Sequence, residues 1–169
     1  GGSSIGVSKV TTWEEFPAAV ALALEDDEKI LVEPEIVGKE VEIGVLHYAD
    51  GTLLASVPAL LAGIDDSDEG FYGFDTKYLD NVVTAEIPAP FAPELTEKLR
   101  DMAIRAFEAL NCEGLSRVDF FVTKDSVYIN EINTLPGFTP ISMYPQVLAA
   151  SGVEYPALLE ALIEQALAK

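Results

Sequence analysis

The sequence predicts an α+β protein, a mainly antiparallel sheet flanked by helices. Two pairs of apolar segments flank short turn signals, around Asp50-Gly51 and around residues 123–126, and read as β-hairpins. Between residues 94 and 110, and again after Pro156, apolar residues fall at helical spacing instead. The 169 residues suit one compact domain or two small subdomains.

Gly1-Gly2-Ser3-Ser4 opens the chain as a loop without an initiating methionine. A cloning scar would look like this, and so would a chain cut within a Gly/Ser loop of something larger. Thr12-Trp13-Glu14-Glu15 has capping-box spacing, with Thr12 as N-cap and Glu15 three residues on, so a helix is expected to about Leu24. The like charges of Glu25-Asp26-Asp27-Glu28 read as a solvated turn. Ile30-Leu31-Val32 reads as a buried strand broken by Pro34. A second strand runs from Val41 to Leu46 and returns through Asp50-Gly51 to Leu53-Leu54. Residues 62–82 interleave Asp65, Asp66, Asp68, Glu69 and Asp75 with Phe71, Tyr72, Phe74 and Tyr78, which reads as a lid that packs on something. Pro88, Pro90 and Pro93 lead into a helix whose stripe is Leu95, Leu99, Met102, Ala103, Ala106 and Leu110. Pro156 begins a last helix with the stripe Leu158, Leu159, Leu162, Ile163, Ala166 and Leu167. Both helices read as scaffolding.

Ten Lys+Arg stand against 29 Asp+Glu, a formal net charge of −19. So few cations argue against binding a nucleic-acid backbone or an anionic membrane surface. Hydrophobic residues make up 49%, which argues for a packed core over disorder. The single Cys112 cannot form an internal disulfide, as suits a reducing compartment, and no apolar run reaches membrane-spanning length. The expectation is a soluble, cytoplasmic protein. His47 and Cys112 read as packing residues. Asp65, Asp66, Asp68 and Glu69 read as a solvated lid edge, because the twelve-residue calcium-loop pattern is missing.

The segment that carries chemistry is Arg117-Val118-Asp119-Phe120-Phe121-Val122, a turn, then Val127 to Asn133. Alternation puts Arg117, Asp119 and Phe121 on one face, and Val127, Ile129, Glu131 and Asn133 on one face of the second strand. With Thr123 opposite Val127, a three-residue loop places Asp119 opposite Glu131. A two-residue loop would put Asp119 beside Asn130 and turn Glu131 away. Two carboxylates and an amide oxygen at one spot make a hard-oxygen site of the kind Mg²⁺ takes. An exposed polar pair is the alternative, and Arg117 beside them favours the binding site, since such groups are costly to bury otherwise. Thr134 to Ser142 then forms a tight irregular turn in which the Gly137 N–H and the Ser142 hydroxyl could meet an anion.

Taken together, Gly2-Ser3-Ser4-Ile5-Gly6-Val7-Ser8-Lys9, the stretch from Glu33 to Glu40, Lys77-Tyr78-Leu79, Arg117-Val118-Asp119 and Glu131-Ile132-Asn133-Thr134-Leu135-Pro136-Gly137 resemble the D-alanine–D-alanine ligases, which are ATP-grasp enzymes. The resemblance runs in order along essentially the whole chain. It implies an ATP-grasp fold lacking the N-terminal domain, with residues 1–34 the remainder of the central subdomain. Residues 35–169 would be the C-terminal catalytic subdomain, with its lid at 62–82. It implies that Asp119, Glu131 and Asn133 hold Mg²⁺, as two ions, with Mn²⁺ an alternative. Arg117 and the Gly137 N–H would face the oxyanion of a tetrahedral intermediate, and Ser142 the carboxylate of the second substrate. Ser3 and Ser4 would lie over ATP's phosphates, Lys77 would contact the transferred phosphate, and Tyr78 would hydrogen-bond toward Ser3. Glu33, Pro34 and Ile36 would lie along the adenine, and Glu40 would bind the ribose. Proline at position 34 departs from the commoner pattern, but the role there is to offer a carbonyl, which proline keeps.

The reaction so implied joins two D-alanines with ATP through an acyl phosphate, for cell-wall peptidoglycan, in a cytoplasmic parent enzyme for which a homodimer is one allowed assembly. The chain by itself is expected to have negligible ligase activity and weak ATP affinity, because the upstream lysines and glutamate of the family's site are not in it. Two rivals stand beside this reading. One is a D-alanine–D-lactate ligase, disfavoured by the lid sequence Tyr72-Gly73-Phe74-Asp75-Thr76-Lys77-Tyr78. The other is a non-catalytic nucleotide-binding or interaction fragment.

Overall fold

The computed structural model of the chain describes residues 5–62, 84–139 and 141–168, and these form four helices and six strands. They divide into two compact units.

The unit over residues 5–35 contains one helix, α1 (Phe16–Asp26). Half of the expected capping box forms. The Glu15 carboxylate accepts the Thr11 N–H at 2.8 Å and the Thr12 N–H at 3.1 Å, and these bonds hold its pKa below the ordinary value. Thr12 itself does not cap. Residues 13–15 form a turn, and the helix begins at Phe16, where Pro17 fits because a first-turn residue needs no N–H. Ile30-Leu31-Val32 is not a strand, contrary to expectation, and Leu31 and Val32 are 79% and 69% exposed. An apolar triplet becomes a strand only where another strand supplies hydrogen bonds, and the described residues 5–35 hold none.

In the other unit, the strands are β1 (Lys39–His47), β2 (Leu53–Ala55), β3 (Ala59–Ala62), β4 (Thr84–Glu86), β5 (Leu115–Val122) and β6 (Val127–Asn133). The sheet order is β4-β3-β1-β5-β6, with β2 also paired to β1. β1 pairs antiparallel with β2, β3 and β5, and β5 pairs antiparallel with β6, as the hairpins predict. The Asp50-Gly51 turn forms, with Gly51 at φ +87, a conformation glycine adopts without strain. Between β2 and β3 the ladder is kept up by Ser56, whose hydroxyl accepts the Gly44 N–H at 2.9 Å while its own N–H donates to the Gly44 carbonyl at 2.8 Å.

Helix α2 (Pro93–Ala109) covers one face of the sheet. Leu99, Ala103 and Phe107 pack there on Val41, Ile43 and Val45 of β1 and on Val118, Phe120 and Val122 of β5. Leu110, placed in the stripe by spacing, is 61% exposed because the helix has already ended. Helices α3 (Met143–Ala150) and α4 (Tyr155–Leu167) cover part of the opposite face, where Tyr144, Val147, Leu148, Leu158 and Ala161 bury Leu46 and Ala59. Only part of the stripe read for α4 is core: Leu158 is buried, whereas Leu159, Ile163 and Leu167 are exposed. Ala161 and Gln165 complete the buried side instead. Helix α3 is absent from the sequence reading, since eight residues containing Pro145 carry too little period to reveal a helix.

Gly44 sets how closely α3 approaches. A Cβ built there would lie 2.5 Å from Leu148 Cδ2 and 3.1 Å from the Tyr144 ring. Gly44→Ala is therefore expected to destabilise the protein by about 1–3 kcal/mol through overpacking. Urea unfolding measures this, and an unchanged midpoint would contradict the close packing of α3 on β1.

Candidate active site

The period-two pattern of β1 and β5 places alternate residues on the helix-α2 face and sends the others to the opposite side. On β5 the buried residues Ser116, Val118, Phe120 and Val122 alternate with half-buried Arg117, Asp119 and Phe121. The register aligns Glu40 with Phe121, Glu42 with Asp119 and Gly44 with Arg117. On the other side of β5, Arg117 pairs with Asn133 and Asp119 with Glu131. One sheet face therefore carries the rungs Gly44–Arg117–Asn133 and Glu42–Asp119–Glu131, beside the end where α3 and α4 pack.

Asp119 does lie opposite Glu131, but the route differs from the expected three-residue loop. Val122 pairs with Val127, Phe121 with Tyr128 and Phe120 with Ile129. Continued unbroken, that register would put Asp119 beside Asn130. A β-bulge between Asp119 and Phe120 leaves Asn130 without a register partner and restores Asp119 to Glu131. The expected common face of Val127, Ile129, Glu131 and Asn133 is thus corrected. Val127 and Ile129 share the side of Val122 and Phe120, while Glu131 and Asn133 share that of Asp119 and Arg117. The extra residue shifts the alternation by one, and a single-strand pattern cannot show it.

Arg117 is the centre of the cluster. Its Nε and Nη2 donate to the two Asp119 oxygens at 2.7 Å and 2.6 Å, a two-point pairing of fixed plane. Nε also lies 3.2 Å from Glu42 Oε2, and the side chains of Arg117 and Glu42 are only 16% and 5% exposed. Burial by itself would lower the guanidinium pKa. The Asp119 hydrogen bonds and the charges of Glu42, Asp119 and Glu131 outweigh it and raise the pKa above the ordinary value. Asn133 Nδ2 donates to Asp119 Oδ2 at 3.3 Å and to Glu131 Oε1 at 3.4 Å. One amide nitrogen within reach of both carboxylates marks a point that both can address.

That donor set fits a small hard cation. A turn of the Asn133 amide about its last torsion exchanges Nδ2 for Oδ1, so two carboxylates and a carbonyl oxygen can converge without backbone movement. Among the described residues no three His, Cys, Asp or Glu side chains are arranged to hold a metal. The ligands here would be two carboxylates and an amide, completed by water or phosphate oxygens.

Beyond Asn133 the chain turns into α3. Ser142 occupies the N-cap position, yet its hydroxyl makes no cap bond. Instead it accepts the Thr139 N–H at 3.0 Å and lies 2.8 Å from Thr139 Oγ1. A Cβ on Gly137 would meet Ser142 Oγ at 2.9 Å, so glycine allows this hydroxyl to sit against the turn. Pro136 is buried and Gly137 exposed.

Comparison with known proteins shows the family of the chain. The family profile described as "D-ala D-ala ligase C-terminus" matches residues 1–164. The chain belongs to the D-alanine–D-alanine ligase family. A D-alanine–D-alanine ligase from Corynebacterium efficiens is 64% identical over 167 residues, which are 99% of this chain and 46% of that protein. The chain thus spans about half the length of the curated relatives it matches. Among solved structures, the D-alanine–D-alanine ligase from Coxiella burnetii superposes with a TM-score of 0.81 at 38% identity, covering 98% of this chain and 42% of that one. The Bacillus anthracis ligase complexed with ATP superposes with a TM-score of 0.76 at 25% identity, covering 94% and 48%. The α+β, mainly antiparallel ATP-grasp architecture expected from the sequence is the one observed.

Of the residues singled out by likeness to these ligases, the structure brings together Arg117, Asp119, Glu131 and Asn133. Gly137 and Ser142 adjoin each other in the next turn. Glu40 lies on β1, one rung beyond Glu42 in the ladder. Ile36, half-buried, precedes β1, whereas Glu33 and Pro34 are exposed in the unit of residues 5–35, where Glu35 pairs with Lys9 at 2.5 Å. Residues 33–36 do not form a strand. Ser3, Ser4, Lys77, Tyr78 and the acidic lid edge lie outside the described residues. Glu42 is what the sequence reading missed. Its signal was available: Glu40 and Glu42 alternate with Val41, Ile43 and Val45, which marks a strand with one polar face.

Arg117→Ala would leave Glu42 and Asp119 facing each other at low exposure. It is expected to destabilise the protein by about 3–5 kcal/mol. An unchanged urea midpoint would show that the ion pairs do not hold this face.

Proposed function

We propose that this chain supplies the metal- and phosphate-handling part of an ATP-dependent ligase that joins two D-alanines into D-alanyl-D-alanine for peptidoglycan, and so for cell shape, in the cytoplasm. The observation that carries it is the convergence of Asp119, Glu131, Asn133 and Arg117 on one sheet face of a chain in this family. The ATP complex of the Bacillus anthracis ligase supports ATP as the nucleotide. The described residues contain no helix long and apolar enough to cross a membrane.

Asp119, Glu131 and Asn133 hold Mg²⁺, as two ions or with Mn²⁺ in their place. When bound, the metal withdraws charge from ATP's phosphate oxygens. Ser3, Ser4 and Lys77 contact the phosphates, Glu33, Pro34 and Ile36 the adenine, and Glu40 the ribose. The γ-phosphoryl group passes to the carboxylate of the first D-alanine, giving an acyl phosphate and ADP. The amine of the second D-alanine, its carboxylate held at Ser142, attacks the acyl carbon and gives up a proton. Arg117 and the Gly137 N–H stabilise the oxyanion, and inorganic phosphate leaves as the peptide bond forms. Tyr78 closes the lid toward Ser3. The domain boundary near residues 34–35 and a homodimeric parent belong to the same reading.

In a longer protein carrying this chain, D-alanine and Mg-ATP are expected to give dipeptide and phosphate in equal amounts. Asp119→Asn should lower kcat about 100-fold or more. Wild-type turnover by that variant would refute the metal assignment, and preference for D-lactate as second substrate would move the enzyme to the depsipeptide-forming branch.

A further inference from the structure

Glu42 is a carboxylate built into the central strand of the sheet, 4% exposed, between the fully buried Val41 and Ile43. Placing a charge there is costly unless it is paired. Its partner is Arg117, whose Nε lies 3.2 Å from Glu42 Oε2. Asp119 binds the same guanidinium at 2.7 Å and 2.6 Å, but Asp119 is also a candidate metal ligand. Oxygens that turn to a cation hold an arginine less firmly, because their charge is shared.

We infer that Glu42 is a positioning residue, the carboxylate that keeps Arg117 aimed when Asp119 serves the metal. The contact is an ion pair at Nε, the stem-side nitrogen, whose single hydrogen is donated to Asp119, so Glu42 holds the guanidinium by charge from the neighbouring strand and not by a hydrogen bond from Nε. It comes from β1, a strand bonded on both sides, whereas Asp119 and Arg117 share β5. Arg117 is thereby referenced to a second strand and not only to its own. The sheet register supports this, because Glu42 stands directly opposite Asp119 and one rung from Arg117. The inference rests on the reading of Arg117 as the residue that faces the oxyanion.

The test uses Glu42→Gln, Glu42→Asp and Arg117→Lys in the longer ligase that carries this chain. Glu42→Gln is expected to lower kcat about ten- to 100-fold while leaving KM for ATP within about twofold, the mark of misaimed transition-state groups. Glu42→Asp, which keeps the charge, should recover part of the loss. If Glu42→Gln does not fold, Glu42→Asp alone decides: a lowered kcat at unchanged KM supports positioning, and wild-type kcat overturns it. Wild-type kcat in Glu42→Gln, with Arg117→Lys impaired, would overturn the role of Glu42 and leave that of Arg117 standing. Wild-type kcat in Arg117→Lys would instead remove the reading on which the inference rests. In ¹⁵N spectra of the chain itself, the Arg117 Nε–H signal is expected to shift in both Glu42 variants, and an unmoved signal counts against the contact.

Discussion

Glu42 and Asp119 face each other across the β1–β5 ladder, and like charges directly opposite push a sheet apart. Arg117, one rung away and in contact with both, makes the arrangement tolerable. Most of the functional architecture follows from that compensation. The guanidinium must sit where β1 and β5 are in register, so the sheet has to be formed before the cluster is stable. With Glu131 added, the face still carries more negative than positive charge. A second cation is therefore welcome there, and the formal charge of −19 does not by itself exclude a phosphate ligand accompanied by metal.

The two sides of the sheet divide the work. The side under α2 is mainly apolar and holds β1 and β5 together. The other side is apolar only where Tyr144 and Leu148 reach Gly44 and Leu46, and polar from Glu42 and Arg117 outward. Placing charged groups beside a packed helix gives them stiff backbones and lowers the local dielectric. Both effects strengthen directed electrostatics relative to an exposed loop.

Much of this was legible in the residues. The central strand, both hairpins and the two longer helices follow from alternation, turn residues and helical spacing, and Arg117, Asp119, Glu131 and Asn133 stood out as polar groups in an apolar hairpin. What could not be read was whatever depends on a partner strand. Ile30-Leu31-Val32 has strand composition but no strand to pair with among residues 5–35. The β-bulge at Asn130 is set by how β6 docks on β5 and not by the identity of any one residue. Glu42 is legible along β1 only as one position of a polar face, because its pairing partner stands across the ladder, which the order of residues along β1 does not name.

The turn from Asn133 to Met143 has both ends tied to a single rung. Asn133 is paired with Arg117, Arg117 with Gly44, and Tyr144, the second residue of α3, lies against Gly44. The intervening residues thus form a nearly closed ring whose closure entropy has been met by the sheet and not by the loop's own stiffness. Gly137 and Ser142 can then keep a fixed place relative to Arg117 even though the turn itself is irregular and partly exposed. Its precision is inherited. Lengthening this segment would loosen the ring without breaking any contact at its ends, so the damage would appear as imprecision at Ser142 and not as loss of fold.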